Sequence, residues 1–147
     1  MIKKDDEHFM RKALELAKQA FELGEVPIGA LIVSNGEIIA KAHNETERLN
    51  DPTAHAEMLA ITSAANFLQN RHLQDCTLYV TMEPCPMCAT ATLWAQIKRV
   101  VYGASDPKMG YSFISSKLLH PKAEVISGIL ANESEILIKN FFKKIRK

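Results

Sequence analysis

His55-Ala56-Glu57 is followed further along the chain by Pro84-Cys85-Pro86-Met87-Cys88. His55, Cys85 and Cys88 are zinc-ligand types, and Glu57 is a carboxylate that need not ligate. One neutral imidazole and two thiolates leave the fourth position of a tetrahedral ion open to water, as catalytic sites require and closed structural sites do not. Zinc so held makes a nucleophile from water near neutral pH, and a free carboxylate beside it can move the proton. The chemistry is metal-assisted hydrolysis, with His55, Cys85 and Cys88 as ligands and Glu57 as proton shuttle.

The pieces are weaker than the whole. C-x-x-C alone fits half of a closed zinc site or a redox pair. A redox pair would leave His55 without a task. A closed site needs a fourth ligand, for which Asp51 and Cys76 can be nominated, though no motif assigns either. His-x-Glu together with Pro-Cys-x-x-Cys is the pattern of zinc-dependent nucleobase deaminases, so the expected reaction is hydrolytic deamination.

The elements that must position these residues are readable from periodicity. Phe9, Ala13, Leu16, Ala17, Ala20 and Phe21 recur at helical spacing, predicting an amphipathic helix ending near Gly24. Asn35-Gly36 between the apolar runs 28–34 and 37–42 predicts a hairpin with a type I′ turn. A loop over 44–51 and a helix from about Ala54 to Asn66 follow. Then come a buried strand at 78–81, a helix over 86–96 and a strand at 99–103. A short helix over 112–119, a strand at 124–129 and a last helix from about Asn132 complete the chain. His55 and Glu57 thus fall at one helix start and Cys85 and Cys88 at another. Two helix N-termini meeting at strand ends would form an electropositive cup that favours thiolate. The fold class this predicts is an α/β, three-layer α/β/α sandwich around a mixed sheet of about five strands.

Bulk properties narrow the class. The 147 residues predict one domain over 1–147, and 47% hydrophobic with 24% charged residues is ordinary for a globular chain. No apolar run approaches a membrane span, and the opening Met1–Glu7 leads into no signal-peptide core, so a cytoplasmic location without membrane contact is expected. Three cysteines, two of them in C-x-x-C, argue against a disulfide scaffold. Cys76 reads as a buried thiol without catalytic duty. A net charge of +1 says nothing about nucleic acid. Lys139, Lys143, Lys144, Arg146 and Lys147 crowd the end, as a solvated helix terminus or as a phosphate-contacting tail.

The sequence resembles the bacterial tRNA-specific adenosine deaminases of the cytidine deaminase-like superfamily. The resemblance runs through Gly24–Ala30, Ala42-His43-Asn44, Asn50–Glu57, Leu78–Cys88, Val101–Ala104 and Phe141-Phe142 with its basic ending. It implies conversion of the wobble adenosine of a tRNA anticodon loop to inosine by a homodimer with one zinc per subunit and no organic cofactor. It assigns Asn44 and the Ala56 backbone N–H to the substrate base, and Val26, Pro27 and Ile28 to the pocket wall. Asp106, Lys108, Phe142, Lys143, Lys144 and Arg146 become candidate RNA contacts. Residue by residue, Phe142 also suits core packing, Asn44 a turn cap, and Asp106 ordinary turn chemistry. The chain departs from the pattern at Thr90, at Ser105 (often arginine), at Ser134 (often cysteine) and in a short 120–124 segment. The alternative enzyme is a small-molecule deaminase acting on guanine or cytosine/cytidine, since Pro-Cys-Pro-Met-Cys resembles guanine deaminases too. A non-catalytic zinc-containing RNA-binding protein would have no use for Glu57.

Overall fold

A computed structural model describes residues 1–145. Helix α1 covers Asp6–Glu22 and buries Phe9, Met10, Ala13, Leu14, Ala17 and Ala20 as one stripe. Strand β1 (Gly29–Ser34) turns through Asn35-Gly36 into β2 (Glu37–His43). Asn35 and Gly36 both have positive φ, 52° and 78°, as the Asn-Gly signal requires. The register steps from Ile32 opposite Ala40 to Val33 opposite Ile38, so Ile39 is an extra residue, a bulge in β2. The chain continues through α2 (Ala56–Leu68), β3 (Cys76–Met82), α3 (Pro86–Trp94), β4 (Arg99–Ala104), β5 (Glu124–Ile126) and α4 (Ala131–Ile145).

The strands lie in the order β2-β1-β3-β4-β5. β1 is antiparallel to β2 and β3, whereas β3, β4 and β5 run parallel. Side-chain alternation divides the sheet between two cores. Ala30, Ile32, Leu78, Val80, Val100 and Tyr102 pack with Ala56, Ala60 and Ala64 of α2 and Ala89 of α3. Leu31, Val33, Tyr79 and Val101 face the other way, onto Phe9, Met10 and Ala13 of α1. Helix α4 joins this second side, where Phe141 meets Phe21 edge-on. Covering on both faces explains why the central strands read as unbroken apolar runs rather than alternating ones. The three-layer sandwich and its mixed five-stranded sheet are as expected.

The expected short helix at 112–119 is instead two 3₁₀ turns, Tyr111–Phe113 and Ser116–Leu118. Ser115 stands extended between them and its hydroxyl accepts the Lys117 N–H, while the Ser112 N–H is drawn off to the Glu83 carboxylate. β5 ends at Ile126, short of 129, and Gly128 donates instead to the Gly103 carbonyl. Cys76 opens β3 as a free, buried thiol. No described helix is long and apolar enough to cross a membrane.

One edge of the sheet collects the motifs. The C-terminal ends of parallel β3 and β4 lie there, together with the start of antiparallel β1, where Ala30 faces Val80. Residues 26–28, the Pro84-Cys85 segment and the loop after Ala104 therefore converge.

Candidate active site and metal centre

His55 and Cys85 are the residues immediately before α2 and α3, both in extended conformation with ψ of 152° and 168°. Pro86 follows in the first turn of α3, where its missing N–H has no partner to lose. Cys88, one turn into the helix, is fully buried. The two helix starts bring His55 Nδ1 to 3.6 Å from Cys85 Sγ and 3.5 Å from Cys88 Sγ. Nitrogen and sulfur ligands at zinc bond lengths around a tetrahedral ion stand roughly 3.6 Å apart. The donor chemistry and its spacing both fit zinc. Among the described residues this is the one group of three such side chains with ligand atoms within 4.8 Å of one another. Asp51 stays outside it, spending Oδ1 on the backbone and hydroxyl of Thr53, and Cys76 lies at the far end of β3.

The site is electrostatically tuned. A hydrogen bond from the Cys88 thiol, with His55 adding to it, holds Cys85 down at about 4. Cys88 moves up, as the donor of that bond and as a buried group. His55 is raised by its bond to Cys85. A cation shared by all three would displace these protons. Glu57 lies one residue inside α2, only 3% exposed, and its Oε1 has no hydrogen-bond partner. Burial pushes its carboxyl up to about 7, and the charge of Cys85 adds to that. Glu57 is not in the ligand group.

On the substrate side the structure corrects one assignment. The Ala56 N–H does not face an open pocket: it donates to Asn44 Oδ1 at 2.8 Å, and Ala56 is fully buried. The first amides of a helix need acceptors, and the His55 side chain supplies none, so Asn44 caps α2 from the end of β2. Fixing Oδ1 on Ala56 leaves the NH2 group of Asn44 pointing away from the Ala56 N–H. Asn44 donates its own N–H to the Ile28 carbonyl, which ties it to the Val26-Pro27-Ile28 link; Pro27 is buried, and Val26 and Ile28 are half-buried.

Two acidic residues that sequence reasoning missed hold this frame. Buried Glu25 accepts the N–H groups of Glu47 and Arg48, pinning the 44–51 loop beside the link. Buried Glu83 does the same for the loop after β4, accepting from Asp106 N–H, Ser112 N–H and the Ser112 hydroxyl. Only the buried-strand context of Glu83, between Met82 and Pro84, hinted that it is not a surface acid.

The candidate RNA contacts are partly spoken for. Asp106 Oδ1 accepts the N–H groups of Lys108 and Met109, the turn reading of that residue, and Lys108 is exposed. Phe141, not Phe142, is the core residue of the pair; Phe142 is 37% exposed and flanks a groove of about 320 Å³ with Ile138, Lys139 and Lys143. Lys144 Nζ sits 5.4 Å over the Phe21 ring. Phe21 ends α1 just before the 26–28 link, so the end of α4 lies on the same sheet edge as the metal ligands. Arg146 lies outside the described residues.

An α/β/α sandwich with a His-Cys-Cys group and a buried carboxylate at its sheet edge is a deaminase architecture. Residues 4–146 match the family model of the MafB19-like deaminases. The chain is 48% identical over 147 residues to the tRNA-specific adenosine deaminase of Bacillus subtilis (strain 168), covering 97% of this chain and 91% of that one. A solved structure from work on A-to-I editing by tRNA:A34 deaminases at the wobble position is 45% identical, with a TM-score of 0.83 over 88% of this chain and 98% of its own. The guanine deaminase of Bacillus subtilis is similar at 38% identity and a TM-score of 0.67, over 82% of this chain and 79% of that one. The chain belongs to the MafB19-like deaminase family, and its relatives at high identity are the tRNA-specific adenosine deaminases.

Proposed function

We propose that this protein is a zinc-dependent tRNA adenosine deaminase, which hydrolyses the wobble adenosine of an anticodon loop to inosine and releases ammonia. The observation that carries the reading is the unpartnered oxygen of Glu57 beside three converged ligand atoms, in a chain this similar to tRNA-specific adenosine deaminases. His55, Cys85 and Cys88 would hold the zinc. When bound, the ion supplies Lewis acidity that makes water a nucleophile at neutral pH.

The chain's own residues do the rest. Glu57 Oε1, free of protein donors, takes a proton from the attacking water and passes it to the purine ring nitrogen. It then takes the second proton from the hydroxyl added to the base and gives it to the amino group, which leaves as ammonia as the C–N bond breaks and the carbonyl forms. Raising a carboxyl toward neutral matches it to both halves of that transfer. The NH2 group of Asn44 donates to the base, and Val26, Pro27 and Ile28 wall the pocket. Single-stranded loop nucleotides suit such a site, because the target base need not be pulled from a long duplex. Lys108, Phe142, Lys143 and Arg146 are the proposed RNA contacts, while Asp106 shapes its loop and Lys144 packs on Phe21.

We read residues 1–147 as a single cytoplasmic deaminase domain that works as a homodimer. The support for a partner is a groove of about 1030 Å³ between α2 and α3, lined by Ile61, Ala65, Leu93, Trp94 and Pro121. Trp94 is 80% exposed, and a second copy would cover it. Trp94→Glu should shift the mass measured by light scattering from dimer to monomer; a wild-type monomer, or a variant that stays dimeric, defeats the assignment.

The reading is tested with purified, zinc-loaded protein on an unmodified tRNA anticodon stem-loop, and separately on guanine and cytidine. Inosine at the wobble position is the expected product. Ammonia from the free compounds alone would replace this function with small-molecule deamination.

A further inference from the structure

Glu83 has no part in the metal group or in proton transfer, yet it is a buried carboxylate with several partners. Its Oε1 accepts the Asp106 N–H at 3.1 Å, and its Oε2 accepts the Ser112 N–H at 3.0 Å and the Ser112 hydroxyl at 2.6 Å. Gly110 lies directly on the carboxylate, where an added Cβ would stand 2.3 Å from Glu83 Cδ. The two backbone N–H groups can only donate, and both carboxyl oxygens act as acceptors toward them.

The segment so gripped, 105–114, contains no α-helix and presents Lys108, Met109, Phe113 and Ile114 to solvent. Met109, Phe113 and Ile114 are 66%, 73% and 64% exposed, more than a free loop usually shows of large apolar side chains. Tyr111 anchors the middle of the segment in the core, but its exposed flanks have no such anchor, and ordering them on binding would cost conformational entropy. Glu83 removes that cost in advance. The same loop is tied next to the metal ligands, because Tyr111 N–H donates to the Pro84 carbonyl at 2.9 Å.

Resting on the tRNA reading above, we infer that Glu83 is a positioning residue: it holds the 105–114 segment as a preformed RNA-contact surface beside the catalytic cup. Exposed aromatic and apolar side chains next to a lysine are what unstacked bases and a phosphate require. The strand end does not depend on the side chain, since Glu83 N–H remains bonded to the Ala104 carbonyl at 2.8 Å. The ligands should therefore stay in place when the carboxylate is changed.

The test is steady-state kinetics of zinc-loaded enzyme on the anticodon stem-loop, with metal content measured in parallel. Glu83→Gln sets an NH2 donor against donors and should raise KM about tenfold, with kcat within about twofold and zinc unchanged. Phe113→Ala and Lys108→Ala should each raise KM in the wild type and have little further effect in the Glu83→Gln background. An unchanged KM, a loss of zinc or kcat instead, or fully additive double variants would overturn the inference. Should Glu83→Gln fail to fold, Ser112→Ala removes the hydroxyl bond alone; a KM rise of about threefold supports the inference and none overturns it. Wild-type enzyme inactive on the stem-loop but active on free bases would sink the substrate reading first, and this inference with it.

Discussion

Glu57 and Asp6 are both carboxylates withdrawn from water, 3% and 0% exposed, and they sit toward opposite ends of the parallel strands. Asp6 is saturated with donors. Arg99 Nη1 and Nη2 each reach it at 2.8 Å, and the Tyr79 hydroxyl and the Lys3 N–H at 2.7 Å. Burial pushes its carboxyl upward, but these bonds outweigh it and hold the group at about 2. Glu57 has an oxygen with no partner, and burial drives it the other way, to about 7. Burial alone therefore does not decide what a buried acid does. The number of donors aimed at it does: a saturated carboxylate ties elements together, and an unsaturated one is kept free to exchange a proton.

The largest effect should come from the unsaturated member. Glu57→Gln keeps the shape and removes the proton carrier, so turnover should fall by about a thousandfold or more while zinc content stays at the wild-type level. Its thermal midpoint should be no lower than wild type, because no protein donor loses a partner at Oε1. Wild-type turnover in a zinc-loaded sample would end the shuttle role. A large drop in midpoint would break the contrast with Asp6.

Asp6→Ala should behave oppositely. It leaves the Arg99 guanidinium buried without its bidentate partner, a loss of about 3–5 kcal/mol of stability. Stem-loop kinetics of the remaining folded enzyme should be little changed. The pH dependence follows from the same contacts. The folded carboxyl titrates at about 2, below the ordinary 3.8, so between those values the unfolded chain binds more protons. The Asp6 contribution is thus complete above about pH 4 and disappears as pH falls toward about 2. Urea midpoints across that window should drop more steeply for wild type than for Asp6→Asn. Parallel slopes would mean that Asp6 is not a net source of stability.

The same contrast separates what was legible in the sequence from what was not. His55, Glu57, Cys85 and Cys88 could be read because metal chemistry restricts residue type, and because spacings of two and three residues are local in the chain. Both pairs also follow extended segments and begin helices, so their positions came with them. Asp6 looked like one more acid in a charged opening, since its partner Arg99 is 93 residues away. Glu25 and Glu83 were silent for a different reason. Their partners are backbone N–H groups, which every non-proline residue carries, joined at Glu83 by the hydroxyl of Ser112 far along the chain, so no local side-chain pattern marks them. The Asn44 oxygen caps α2, a contact its sequence could not reveal without the start of that helix beside it.

The smallest expected effect asks whether an unpartnered buried atom is itself enough to mark a working group. Ser134 in α4 is 2% exposed, and its Oγ, like Glu57 Oε1, has no hydrogen-bond partner. It packs against Gly103, where an added Cβ would lie 2.8 Å from it, and is not one of the three converged ligand side chains His55, Cys85 and Cys88. A hydroxyl in that position only loses its hydration, so Ser134→Ala should gain about 1 kcal/mol, helped by alanine's helix propensity. For a chain of this length that is a rise of about 2–4 °C in thermal midpoint, with kcat and KM unchanged. A loss of stability would show that the hydroxyl has a partner, such as a buried water. A loss of turnover would show that isolation alone signals function. The expected gain leaves Glu57 distinguished by what converges on it: His55 and two cysteines within reach of one ion.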